Sequence, residues 1–212
     1  MQEITSNYDR QVDMAKTIFM AYDQQLLIRK FGLEADGEWL CLTYLNTPCR
    51  ISRCTGTIEE FIQNTWRECR NYDTVMTVYD LLCFHKGEYA PKLLGQWCTA
   101  GTFIVTGITE TGKFTETTAR IFDGRLEMLK TAVQKMGGAV LPSVAGADLT
   151  CRIPVTPFFP VLLQFWEGDA EFPPKLLILW DRNTDKFLHY ETTFYLQGDL
   201  LKRLQNIAET PG

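Results

Sequence analysis

The sequence predicts an α+β protein: a single domain over residues 1–212, with a mixed or antiparallel sheet and a C-terminal antiparallel hairpin packed by amphipathic helices. Three observations predict it. Helical apolar spacing dominates the first two thirds, and strand-like runs cluster after Gly137-Gly138. Two apolar runs, Val161 to Trp166 and Leu176 to Trp180, are joined by only the eight residues Glu167 to Pro174. A parallel crossover needs about a dozen residues or more, so these strands pair antiparallel. The 212 residues contain no internal repeat, low-complexity tract or linker, which favours one domain over two small ones.

From the N-terminus, Asp9 is a candidate cap for a first helix carrying Val12, Ala15, Phe19 and Tyr22 at helical spacing. Leu26, Leu27 and Phe31 extend its apolar face, and Gly32 is the expected stop. Trp39 to Leu45, apolar on both faces, reads as a buried strand. Asn46-Thr47-Pro48 is the turn, and Cys49 to Cys54 returns. Thr57-Ile58-Glu59-Glu60 has the form of a capping box and predicts a helix carrying Ile58, Phe61, Ile62, Thr65, Trp66 and Cys69. Another helix is expected over Asp73 to Phe84, and a strand over Thr102 to Ile108 with a turn into Phe114. Phe122, Leu126, Leu129, Val133 and Met136 form the clearest amphipathic stripe, ended by Gly137-Gly138 and expected to cover the hairpin. Strands follow at Cys151 to Val155 and in the hairpin, and a last helix spans about Thr193 to Ile207.

Bulk properties exclude several classes. Hydrophobic residues at 45% and charged residues at 22% are ordinary for a globular chain. A net charge of -5 and a pI near 5.1, with no basic cluster, argue against duplex nucleic acid as a partner. No apolar run approaches the roughly 20 residues of a membrane span, so no membrane partner is expected. The first residues, Met1 to Asn7, offer neither a basic n-region nor an apolar h-region. The seven cysteines contain no Cys-x-x-Cys pair, and their spacing fits no standard zinc or iron–sulfur pattern. They read as reduced, mostly buried thiols, and the expected location is the cytoplasm.

The richest stretch for chemistry is Phe165-Trp166-Glu167-Gly168-Asp169-Ala170-Glu171-Phe172-Pro173-Pro174. If extended, Glu167, Asp169 and Glu171 share a face, and crowding raises one carboxylate pKa unless a cation intervenes. That allows a hard-metal site or an acid–base pair, against the favoured reading of a solvated acidic loop. Asp181 is tempting as a fourth ligand, but the second strand carries it roughly 20 Å away, at about 3.3 Å per residue. Asp181, Asn183 and Asp185 match three calcium-loop positions, yet Lys186 and Thr192 stand where Gly and Glu belong. A strand-ending Asx turn suits Asp181 better. His189, before Tyr190-Glu191, is either an oriented imidazole or a helix-start residue, and His85 is equally isolated. Thr111-Gly112-Lys113 is set aside as a phosphate loop, being read without an upstream glycine or a following helix. No Gly-x-Ser-x-Gly elbow occurs. Pro154, Pro157 and Pro160 read as an irregular approach to a strand rather than a polyproline ligand.

These residues carry a resemblance. Pro154-Val155-Thr156-Pro157, Phe165 to Pro173, Leu177 to Asp181 and His189-Tyr190-Glu191 resemble the bacterial and archaeal domain-of-unknown-function family DUF3786. Tyr79-Asp80-Leu81-Leu82, Leu94-Gly95-Gln96-Trp97, Gly137-Gly138 and Gly146-Ala147-Asp148 extend the similarity to about residues 8–207. Relatives that join this domain to a four-cysteine iron–sulfur module, in anaerobes with corrinoid one-carbon metabolism, imply an accessory role there. This chain lacks that module, and the resemblance brings no catalytic residues.

The expected function is a non-catalytic module binding a small-molecule cofactor or a protein partner. The alternative is a carboxylate-based metal-dependent enzyme. No catalytic residue, metal ligand set or particular cofactor is assigned, because no complete nucleophile–base or ligand set is visible. The candidate binding residues are Trp166, Glu167, Asp169, Glu171, Asp181 and His189. A deep pocket converging on the acidic loop would favour the enzyme, a flat apolar patch the binding module.

Overall fold

A computed structural model describes residues 7–102 and 112–209. Among these residues lie six helices and two five-stranded sheets in which every strand pair is antiparallel. Helices α1 (Asn7–Ala21) and α2 (Gln24–Phe31) lead into a meander of β1 (Glu34–Asp36), β2 (Trp39–Tyr44), β3 (Thr47–Ser52), β4 (Ile58–Ile62) and β5 (Thr65–Glu68). Next come α3 (Tyr72–Cys83), β6 (Trp97–Cys98), α4 (Gly112–Phe122) and α5 (Leu126–Lys135). The chain closes with β7 (Ala139–Leu141), β8 (Leu149–Thr156), β9 (Phe159–Trp166), β10 (Lys175–Asp181) and α6 (Tyr190–Glu209). The second sheet has the order β6-β10-β9-β8-β7.

The predicted hairpin is present: Leu176 faces Phe165 and Ile178 faces Leu163 across β9 and β10. Its helical cover differs from expectation. The stripe from Phe122 to Met136 is split, because Gly124 adopts φ +65°, a left-handed conformation that ends α4 before α5 begins. Helix α4 packs on β10, whereas α5 lies against β7 and β8. Gly137, at φ +75°, ends α5 as anticipated. Trp180 is fully buried, but Trp166 is only half-buried, with the Lys175 ammonium 5.2 Å from its ring centroid.

Local signals misled elsewhere. The capping box at Thr57 starts no helix: Ile58–Ile62 and Thr65–Glu68 form a hairpin instead. Gln63 and Asn64, at φ 53° and 61°, make the two-residue left-handed turn that suits the twist of such a hairpin. Leu45 and Asn46 (φ 44° and 61°) turn β2 into β3, so Thr47 and Pro48 belong to the strand. β2 is buried on one face only, by Leu40, Leu42 and Tyr44, while Thr43 is exposed. The first helix breaks at Asp23, whose carboxylate accepts the N–H groups of Gln25 and Leu26 and caps α2, and Gly32 stops α2 as expected. Asp9 lies within the first turn of α1.

Pro154 and Pro160 face each other in the β8–β9 ladder beside a register shift, so the proline spacing leaves no free polyproline segment. The strand expected at Thr102 to Ile108 falls outside the described residues from 103 on, as does most of the turn into Phe114. A helix does begin at Gly112, and Gly107 does stand five residues upstream of it, so both grounds for setting Thr111-Gly112-Lys113 aside are corrected. Phe114 occupies the Ser/Thr position of the phosphate-loop pattern.

One hydrophobic core runs through both sheets and all six helices. The sheets meet where Leu45 N–H donates to the Val155 carbonyl at 2.8 Å. Helix α3 packs between α1 and α6. A polar network crosses this junction. Arg203 of α6 reaches Glu60 of β4 at 2.9 Å, Asp199 at 3.2 Å and Thr47 at 2.9 Å, while Thr74 of α3 donates to Asp199 at 2.8 Å. Burial works against the guanidinium charge, but Asp199 and Glu60 more than offset it and hold its pKa above the ordinary arginine value.

Candidate functional site

A cleft of about 420 Å³ opens between α1, α3 and the start of α6. It follows from three helical periodicities. On α1, Gln11, Met14, Ala15 and Ile18 recur at i, i+3, i+4 and i+7. On α3, Val75, Val78, Leu81 and Leu82 face the core, leaving Tyr72, Met76, Asp80 and Cys83 to line the cleft. Thr192 and Tyr195 of α6, one turn apart, form the third wall. From Tyr72 to Cys83 the cleft runs about 16 Å at 1.5 Å per residue.

Its walls are apolar and aromatic, with Tyr72 in edge contact with Tyr195 at 5.2 Å. Burial, then the neighbouring Tyr195, pushes the Tyr72 hydroxyl above the ordinary tyrosine range, and burial does the same to Tyr79. Burial pushes the Cys83 thiol up to about 12, so at neutral pH it is a protonated wall residue, not a nucleophile.

One corner is polar. Asp80, whose side chain is 13% exposed, accepts three hydrogen bonds: from the His189 backbone N–H at 2.8 Å, from His189 Nδ1 at 2.8 Å and from the Thr192 hydroxyl at 2.6 Å. The carboxylate therefore ties the start of α6 to α3 and fixes the imidazole, whose ring also meets Phe84 edge-on at 4.2 Å. With its proton on Nδ1 facing the carboxylate, a neutral His189 presents Nε2 as an acceptor. Near Cys83 and Lys86, Lys30 is nearly buried and donates to the His85 carbonyl, which Tyr22 also reaches. Burial draws the Lys30 pKa down, and burial with Lys30 draws that of His85 down.

Of the sequence-predicted residues, only His189 lies on this cleft. Glu167, Asp169 and Glu171 sit in the connection between β9 and β10, which is irregular rather than extended. Asp169 Oδ1 accepts the N–H groups of Glu171 and Phe172 at 2.8 and 2.7 Å, closing its own turn. Those backbone bonds lower the Asp169 pKa, so the rise expected of one crowded carboxylate does not fall on Asp169. The carboxylate helps hold the turn above the ordinary aspartate value near 3.8, and that contribution fades as pH falls through the lower folded value. Glu167 N–H donates to Asp148 and Gly168 N–H to Asp123, so neighbouring acids also bind backbone. Trp166 stands at the base of this loop, and Asp181 at the far end of β10, opposite Trp97. Asp181 is buried and accepts N–H groups from Leu94, Gly95 and Asn183, so it forms the expected Asx turn and also pins the 94–95 loop.

Among the described residues no group of three or more His, Cys, Asp or Glu side chains is placed to hold a metal ion. Calcium, magnesium and manganese should each leave the melting temperature unchanged, read by calorimetry on the wild type and on Asp169→Asn. A saturable rise lost in the variant would contradict this. All seven cysteines are free; Cys49, Cys69, Cys83 and Cys151 are buried, Cys41 and Cys98 half-buried, and Cys54 exposed. No described helix is long and apolar enough to cross a membrane.

Asp80 escaped sequence reasoning because its partners lie 109 and 112 residues away. The available signal was an acidic residue inside the apolar run Tyr79-Asp80-Leu81-Leu82, where a charge needs a partner. The family described as Domain of unknown function (DUF3786) matches residues 23–203, and the chain belongs to it. No curated protein and no solved structure matches the chain. The match includes the α3 and α6 walls of the cleft, whereas α1 lies outside it.

Proposed function

We propose that this family member is a non-catalytic binding module of the cytoplasm and that the cleft between α1, α3 and α6 is its site. The observation that carries the reading is the coincidence of a concave, mostly apolar cleft with one polar corner where Asp80 pre-orients His189. Small-molecule sites combine an apolar cavity with a few placed polar groups in this way. At about 420 Å³ the cleft suits a ligand of a few rings. A whole corrinoid is larger, so an accessory role in anaerobic one-carbon metabolism would run through a smaller ligand or a protein partner. The free thiols support the cytoplasmic location. The acidic loop gives the metal-dependent enzyme no matching support, since Asp169 binds its own turn and its neighbours' backbone is held by Asp148 and Asp123.

The test is a thermal-shift screen of neutral bicyclic aromatic fragments against the wild type and Met76→Trp, which fills the floor of the cleft. A ligand at one hundred times its dissociation constant stabilises by about 2.7 kcal/mol, which for a chain of this length is a rise of about 5–10 °C. Hits should lose that rise in Met76→Trp. Equal shifts in both proteins, or no hit at all, would remove the cleft as the site.

A further inference from the structure

We infer that the cleft selects neutral aromatic ligands bearing a hydrogen-bond donor, an aromatic hydroxyl or ring N–H, that ends on His189 Nε2. The inference rests on the cleft being a binding site and adds the ligand's chemical class. It follows from accounting for the polar atoms that line it. Tyr72 hydroxyl meets the Gln11 amide oxygen and neighbours the Tyr195 hydroxyl, and Tyr79 hydroxyl donates to the Gly56 carbonyl. Lys86 Nζ donates to the Cys83 carbonyl at 2.8 Å, and Glu191 accepts from Tyr190 hydroxyl at 3.2 Å. Thr192 hydroxyl is committed to Asp80. His189 keeps an open atom at the polar corner: Nδ1 is bonded to Asp80, but Nε2 carries no hydrogen bond among the described residues, and the side chain is 63% exposed.

The sign of that atom sets the ligand. Asp80 already accepts from the His189 backbone N–H and the Thr192 hydroxyl, so it acts as a carboxylate and Nδ1 is the donor toward it. In the neutral imidazole Nε2 is then the acceptor, and a ligand must bring the proton. Charge argues the same way: Asp80 and Glu191 against Lys86 leave no positive excess to hold an anionic ligand. The rings of Tyr72, Tyr195 and Phe84, with Met14 and Met76, offer faces and edges for a flat ring system.

The experiment compares three ring-matched probes, naphthalene, 2-naphthol and 2-naphthoate, by NMR titration of the intact protein and of His189→Leu. Wild type should bind 2-naphthol about fivefold more tightly than naphthalene, the worth of one net hydrogen bond, and 2-naphthoate most weakly. His189→Leu should bring 2-naphthol down to naphthalene while leaving naphthalene within about twofold, which also shows that the cleft is intact. His189→Gln, which can accept through Oε1, should restore part of the preference. Tightest binding by 2-naphthoate, or a naphthol preference that survives in His189→Leu, would overturn the ligand class while leaving the cleft as a site. No binding by any probe would overturn both.

Discussion

Replacing Arg203 with Ala should lower the stability of this protein by about 3–5 kcal/mol, because it strands two carboxylates that the fold has removed from water. Asp199 is 2% exposed and Glu60 7% exposed. Each has Arg203 as its ion-pair partner at 3.2 and 2.9 Å. For a chain of this length the loss corresponds to a melting temperature lower by about 6–20 °C, read by calorimetry. Lysine should recover only a fraction, since one ammonium cannot replace the fork that spans Asp199, Glu60 and Thr47. A variant that melts within about 2 °C of the wild type would show that Asp199 and Glu60 find water or other donors.

The tryptophans of the central hairpin should separate sharply. Trp180→Ala removes a fully buried ring and leaves a cavity, at a cost of about 3–5 kcal/mol. Trp166→Ala removes a half-buried ring with a lysine over it, and about 1–2 kcal/mol is expected. Urea titration of both variants reads the difference, and equal midpoints would contradict the burial difference between the two ends of the hairpin.

Much of the fold was legible in the sequence where a single local rule met a tertiary context that agreed with it. Val161 to Trp166 and Leu176 to Trp180 are apolar enough, and their connection short enough, to leave one pairing. Gly32 and Gly137 end helices as glycine does. Thr57-Ile58-Glu59-Glu60 failed for an identifiable reason. A capping box concerns only the first turn, whereas the chain from Ile58 onward also carries a Gln-Asn turn and a row of residues that pair with β3. Cross-strand partners outweighed the cap. The site was less legible than the fold, since His189 is identifiable as a helix-start imidazole but its meaning comes from Asp80, and no local pattern joins residues 109 positions apart.

The two ends of α6 are held by unlike means. At its far end Arg203 is locked into a buried network, while its first turn is tied to the rest of the fold by the Asp80 carboxylate beside the cleft. Local opening of native proteins occurs in cooperative segments of unequal cost, which amide hydrogen exchange resolves. The amides of Thr192 and Thr193 should therefore exchange with solvent long before those around Leu201 and Leu204. An occupant of the cleft that bonds to His189 would slow the first group and leave the second untouched, so the start of this helix reports cleft occupancy in exchange rates.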